Sequence, residues 1–188
     1  PYIIRTGAQL AYMQSQYSGK QSQVYASGIY FKLAASIDLT GAEWKPIAHR
    51  GDFTSTKWSY FAGIFDGNGY TIKLAVDNTN YAGYGLFEGL RGTVKNLTVA
   101  GSLVVKNRVG AIAYMSSNNA VIENCNNYAT ISGSGYAGGI IGAVNGAGKL
   151  TKCVNYGDVC SPSSNGAGGI CGAEGTNTGT TYTECVNY

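Results

Sequence analysis

Apolar and polar residues alternate in short runs along this chain, and the runs return at a nearly constant distance. Ala129-Thr130-Ile131-Ser132 places apolar side chains at every second position, and Val121-Ile122-Glu123-Asn124-Cys125 interleaves apolar and polar residues in a similarly short run, the pattern of a strand with one buried face. Gly, Asn and Ser break each run after a few residues, where a helical segment would continue for ten or more. Ile29 to Leu33 and Ile37 to Leu39 read as strands of the same kind between small and polar residues. One stretch departs from this pattern. Thr6 stands as an N-cap before a segment from Gly7 to about Met13 with Leu10 and Met13 on one side, which predicts a short helix.

The runs belong to repeats. Val94-Lys95-Asn96-Leu97 matches Ile122-Glu123-Asn124-Cys125, Leu150-Thr151-Lys152-Cys153 and Tyr182-Thr183-Glu184-Cys185, at offsets of 28, 28 and 32 residues. Two positions after each Cys stands an Asn (Asn127, Asn155, Asn187), followed directly by Tyr128, Tyr156 and Tyr188. A second motif drifts in step with the first: Gly85-Leu86-Phe87, Gly110-Ala111-Ile112, Gly139-Ile140-Ile141 and Gly169-Ile170-Cys171. A unit of this length is too short to bury its own apolar face and must stack on its neighbours. The predicted fold is all-β: a right-handed parallel β-helix (β-solenoid) of about five coils, with strands about 4.8 Å apart and an N-terminal cap containing one short helix. Residues 1–28 are assigned to the cap and 29–188 to the repeats. The last residues stop inside a repeat, so the coils are expected to continue in a parent protein or to be covered by another chain. Stacking would align Asn127, Asn155 and Asn187 into an amide ladder. Gly138-Gly139 and Gly168-Gly169 fall where coils turn with φ > 0 or where walls approach closely.

Composition narrows the class further. Charged residues make up 12% of the chain, about half the usual share, and the 28 glycines and 15 tyrosines suit neither a coiled coil nor a disordered tail. No apolar run approaches the roughly 20 residues of a membrane helix. Thirteen Lys and Arg against ten Asp and Glu give a net charge of +3. The basic residues are dispersed, which argues against nucleic acid as a partner.

At these residues the chain resembles the GLUG-motif proteins. The matching segments are Ile37-Asp38-Leu39-Thr40 with Trp44-Lys45-Pro46-Ile47, Phe65-Asp66-Gly67-Asn68-Gly69-Tyr70-Thr71-Ile72, Gly85-Leu86-Phe87-Glu88-Gly89 and Val94-Lys95-Asn96-Leu97. The resemblance covers most of residues 3–172. Glu88 stands where a Gly is common, Ala48-His49 follows Pro46-Ile47 where a Gly is usual, and the later copies read Gly-Gly-Ile. The resemblance implies a secreted or surface-anchored bacterial protein with β-helical repeats. Such repeats serve as stalk or recognition modules in adhesin-like proteins and beside the catalytic domains of proteases that cleave immunoglobulin A. The family brings no catalytic residue set to this sequence.

Candidate chemistry is sparse. Asp66-Gly67-Asn68-Gly69 could offer oxygens to Ca²⁺, but two consecutive turn dipeptides make a tight turn the preferred reading. His49 is the sole histidine and reads as an exposed loop residue with no nucleophile motif beside it. Among the acids, Lys95, Glu123, Lys152 and Glu184 are read as one alternating charge column that sets register, rather than as an acid/base pair. Cys125, Cys153 and Cys185 share one phase and are expected as a reduced interior ladder. Cys160 and Cys171 are left as the one pair placed to form a disulfide. None of the cysteines has zinc-site spacing. Tyr81, Tyr84, Tyr114, Tyr128, Tyr136, Tyr156, Tyr182 and Tyr188 fall largely in or beside turns, where an aromatic face and a hydroxyl suit sugar rings or proteins. Tyr128, Tyr156 and Tyr188 are read first as a structural ladder, and Tyr81, Tyr84 and Tyr136 as the ligand-binding candidates.

The expectation is a non-catalytic, adhesin-like binding or stalk module, extracellular or at the bacterial cell surface, recognising a glycan or host surface protein. It would need no cofactor or metal and would not insert into a membrane. Two alternatives stand beside it: a polysaccharide lyase or hydrolase built on a β-helix, and a structural element that self-associates end to end.

Overall fold

The computed structural model describes residues 1–51, 57–78, 83–163, 165–175 and 179–188. Every strand pairing among them is parallel, and equivalent strands of successive coils lie side by side. In one wall Tyr2–Ile4, Tyr30–Leu33, Ile64–Asp66, Thr93–Lys95, Ala120–Glu123, Gly148–Thr151 and Thr181–Thr183 follow one another. Seven successive strands make about six turns of a parallel β-solenoid. A coil starting at Thr93–Lys95 runs on through Thr98–Val105, Arg108–Gly110 and Ala113–Ser116 before re-entering the first wall at Ala120. The coil length seen in the repeats is therefore the length of one circuit of four walls.

Register explains the interior. Tyr2, Phe31, Phe65, Val94, Ile122, Leu150 and Tyr182 stack in one column. The five middle members are buried, while the two end tyrosines are exposed. Early coils are filled by phenylalanines: Phe61 lies 4.9 Å from Phe87, and Phe65 meets Phe87 edge-on at 5.6 Å. Later coils place Val94, Ile122 and Leu150 in register with Phe65. Among the described residues no helix is long and apolar enough to cross a membrane; that statement does not extend to strands.

The helix spans Gly7–Gln16, three residues beyond its predicted end. The Thr6 hydroxyl accepts a hydrogen bond from Gln9 N, and Leu10 and Met13 are its buried residues, as the pattern indicates. Residues 1–28, assigned to the cap, also supply strands to the coil walls. Tyr2–Ile4 pairs with Phe31–Leu33, so the first coil begins at Tyr2 and the helix is part of that coil. Three residues are too few to display a period, which is why this strand escapes a pattern search.

The Gly110-Ala111-Ile112 copy of the glycine-centred motif pairs one residue away from its sequence alignment. Gly110 lies opposite Gly138, not Gly139, and Ala113, not Ile112, lies opposite both Phe87 and Ile141. Ala111 through Met115 are all buried. A wall buried at every position has no alternation by which register could be read.

The tight turn after the first wall repeats a left-handed backbone at Asn96, Asn124, Lys152 and Glu184, with φ of 53°, 51°, 52° and 53°. Asn adopts this conformation readily, whereas Lys and Glu are strained in it. Lys152→Asn is expected to raise stability by about 0.5–1 kcal/mol. Lys152→Ala, which keeps the strain, should leave stability near wild type. Chemical denaturation of the two variants checks the pair.

Candidate binding face

The polar side chains that repeat are mostly engaged with one another. Asn127 Nδ2 donates to Asn155 Oδ1 and Asn155 Nδ2 donates to Asn187 Oδ1, each at 2.7 Å. Asn127 and Asn155 also donate to the carbonyls of Ala129 and Gly157 in their own turns. The expected amide ladder is present and buried at Asn127 and Asn155. Its space comes from the glycines of the other motif. A Cβ on Gly139 would stand 2.4 Å from Asn155 Cγ, and one on Gly169 would stand 2.1 Å from Asn187 Cγ. Neither glycine has positive φ, so close approach alone explains them. The two sequence motifs are thus two sides of one contact.

A second amide ladder runs outside the first. Asn124 Nδ2 donates to Asn96 Oδ1 at 2.9 Å, and Asn96 Nδ2 donates to Asp66 Oδ1 at 3.0 Å. Asp66 Oδ1 also accepts from Asn68 N, and Oδ2 accepts from the Tyr30 hydroxyl at 2.7 Å. The carboxylate closes a turn and terminates a ladder, which supports the turn reading over calcium. Burial alone would raise its pKa, but hydrogen bonds from Tyr30, Asn96 and Asn68, aided by Lys95, hold it below the usual carboxylate range. A depressed carboxyl contributes stability above its unfolded pKa of about 3.9 and loses it as pH falls toward the native value. The melting-temperature gap between wild type and Asp66→Asn should therefore be widest near neutral pH and close on acidification.

The expected charge column is two columns. Lys95, Glu123, Thr151 and Thr183 share one register, while Lys152 and Glu184 occupy the following turn position beside Asn96 and Asn124. The ion pairs are Lys95 with Asp66 at 3.9 Å and Lys152 with Glu184 at 4.0 Å. His49 is half-buried rather than exposed. Its Nδ1 accepts from Gly51 N at 3.1 Å, and burial together with Lys45 lowers its pKa.

Cys125, Cys153 and Cys185 form the interior column, their Sγ atoms hydrogen-bonded to carbonyls of neighbouring residues. Burial pushes the Cys153 thiol up to about 12 and the Cys125 thiol higher still. These thiols are packing groups rather than nucleophiles. Cys160 and Cys171 are both free; Cys171 Sγ lies 3.1 Å from the Ala173 carbonyl. Among the described residues no group of three or more His, Cys, Asp or Glu is placed to hold a metal ion.

The tyrosines divide sharply. Tyr81 lies outside the described residues. Tyr84 is 1% exposed and its hydroxyl donates to the Trp44 carbonyl at 2.6 Å, so it cannot meet a ligand without unfolding its coil. It drops from the candidates because the turn dipeptide context that suggested exposure opens a wall rather than a loop. Tyr128, Tyr156 and Tyr188 are 53%, 43% and 78% exposed and stack face to face, with centroids 4.5 and 5.1 Å apart. Their faces cover one another, and their edges and hydroxyls line the surface. Tyr136 is half-buried and carries the Arg108 guanidinium 5.0 Å over its ring.

Behind Tyr136 lies a cluster that the repeats do not announce. Arg50 and Glu88 are 2% and 1% exposed, with Nε and Oε1 3.4 Å apart, and Arg50 N donates to Glu88 Oε2 at 2.8 Å. Arg50 covers the Trp58 ring at 3.8 Å, Trp58 leans on Tyr114 at 5.2 Å, and the Tyr114 hydroxyl meets Arg108 Nη1 at 3.4 Å. One signal for it stood in the sequence: Glu88 occupies a position where Gly is common. A further apolar cavity of about 620 Å³ opens at the first coil between the helix and Tyr2–Ile4, lined by Tyr12, Met13, Tyr17 and Phe31 among others.

No family model matches the chain. Halomucin of Haloquadratum walsbyi is 34% identical over 94 residues, covering 48% of this chain and 1% of halomucin. The chain thus spans a very small part of that relative. The crystal structure of a Bacteroides ovatus protein described as a putative immunoglobulin A1 protease matches 100% of this chain and 75% of that one, with a TM-score of 0.59 at 19% identity. That likeness is one of fold, and the fold is the parallel β-solenoid. It agrees with one setting named for the motif resemblance, while the motif family itself is not matched.

Proposed function

We propose that this chain is a non-catalytic binding or spacing segment of a bacterial secreted or cell-surface protein, adhesin-like, that presents aromatic residues to a glycan or host surface protein. One observation carries the reading. The repeated Asn and Asp side chains hydrogen-bond between coils, whereas the repeated tyrosines Tyr128, Tyr156 and Tyr188 are left exposed in a row. The two acids buried among the described residues are engaged, Asp66 in its turn and Glu88 with Arg50. Similarity to halomucin and to the fold of a protein described as a protease of immunoglobulin A1 supports a place outside the cell.

Purified protein, incubated with soluble and insoluble polysaccharides and mucin, tests this. The supernatants are assayed for new reducing ends and unsaturated products. Retention without products is the expected result. Release of sugar products would overturn the non-catalytic reading in favour of a lyase or hydrolase.

A further inference from the structure

We infer that the corner formed by Arg108 and Tyr136 is a binding site for the carboxylated sugars of an acidic glycan. The inference rests on the glycan-binding reading above and adds the class of ligand. Arg108 and Tyr136 are 28 residues apart, one coil length, and Val109 pairs with Ala137 directly beyond them. The guanidinium therefore stacks on the ring of the next coil, 5.0 Å from its centroid. On its other side Arg108 lies in register with Gly83, which contributes no side chain. The Tyr114 ring packs against Gly83, where a Cβ would stand 2.6 Å from it, so the glycine makes room for the ring whose hydroxyl meets Arg108.

Charge and orientation suit this arginine to an acidic ligand. Arg50, in the same cluster, is paired with Glu88. Among the described residues Arg108 has no carboxylate within ion-pair distance. Its Nη1 bond to the Tyr114 hydroxyl engages one of five N–H donors. Tyr114 is itself 3% exposed and braced by Trp58. A guanidinium held by aromatic groups on a rigid wall loses little freedom on binding. Its fork matches the two oxygens of a carboxylate, and the Tyr136 ring and hydroxyl beside it suit a sugar.

The test uses the full chain in calorimetric titrations with hyaluronan, polygalacturonate and polysialic acid as carboxylated probes. Dextran sulfate, dextran and poly-glutamate serve as comparisons. At least one carboxylated glycan is expected to bind more tightly than dextran sulfate or poly-glutamate. That binding should weaken about tenfold or more in Arg108→Gln, recover only in part in Arg108→Lys, and change little in Lys106→Gln. Melting temperatures close to wild type show that the variants fold. Undiminished binding by Arg108→Gln, or equal losses from Arg108→Gln and Lys106→Gln, would overturn the inference. So would preference for dextran sulfate, which points to sulfate esters, or for poly-glutamate, which points to an acidic protein. Retention of neutral glycan or mucin without dependence on Arg108 would leave the general reading standing and remove this one. Retention of no glycan at all would remove this inference and the glycan-binding part of the general reading, leaving a spacing role or a protein ligand.

Discussion

Asn155→Ala is expected to destabilise the solenoid by about 3 kcal/mol or more, enough to be read directly from a urea or thermal transition. The Asn155 side chain is 1% exposed and makes three hydrogen bonds: it accepts from Asn127 and donates to Gly157 O and Asn187 Oδ1. Truncation leaves the Gly157 carbonyl without its side-chain donor and opens a polar hole against Gly139. Each buried group left unsatisfied costs about 1–3 kcal/mol, and backbone pairing cannot shift to compensate, since the coils on both sides hold their register. Asn187→Ala, at the exposed end of the same ladder, should cost about 1 kcal/mol or less. Asn155→Asp separates hydrogen bonding from volume. A carboxylate would face two acceptors, Gly157 O and Asn187 Oδ1, so the variant should be least stable at neutral pH and recover partly on acidification. Equal small losses at positions 155 and 187 would mean that the ladder follows the fold rather than supporting it.

Where each amide points, the repeats already indicated. Asn127, Asn155 and Asn187 keep a constant distance from the preceding cysteines, and a constant distance in a stacked coil means a column. Alternation with polar residues made the first wall legible as well: Val94, Ile122 and Leu150 pair as their motif aligns them. Legibility stopped where alternation stopped. The wall from Ala111 to Met115 is buried throughout, and its register came out one residue away. Tyr84 was misplaced for a related reason. A Tyr beside Gly reads as a turn residue, yet here it lies in a buried strand, with the polar end of its ring satisfied by Trp44 O. The cluster around Arg108 was harder still, because it joins residues from separate coils that share no motif. Only the pairing of Arg108 with Tyr136 respects the repeat length; Arg50, Trp58, Glu88 and Tyr114 meet through folding alone. Physical logic therefore divides the molecule into a periodic scaffold that a sequence displays and an aperiodic corner that it conceals.

Glu88→Leu should cost about 3–5 kcal/mol, because it removes the carboxylate held beside a buried guanidinium. Burial pushes the Glu88 carboxyl up, and Arg50 offsets only part of that effect, so the pair is held in a site that does not favour charge. Replacing both partners by apolar residues, Arg50→Met with Glu88→Leu, removes the charges together and should regain most of the loss. The double variant then separates stability from orientation. Arg50 lies 3.8 Å over Trp58, Trp58 braces Tyr114, and Tyr114 carries the hydroxyl that fixes Arg108. A double variant with near-native stability but weakened binding of carboxylated glycan would assign the ion pair to positioning Arg108. One that binds as wild type would confine the pair to the core. In either case the Glu88 single variant should be the less stable, and a single variant as stable as wild type would show that the Arg50 charge finds another partner when Glu88 is removed.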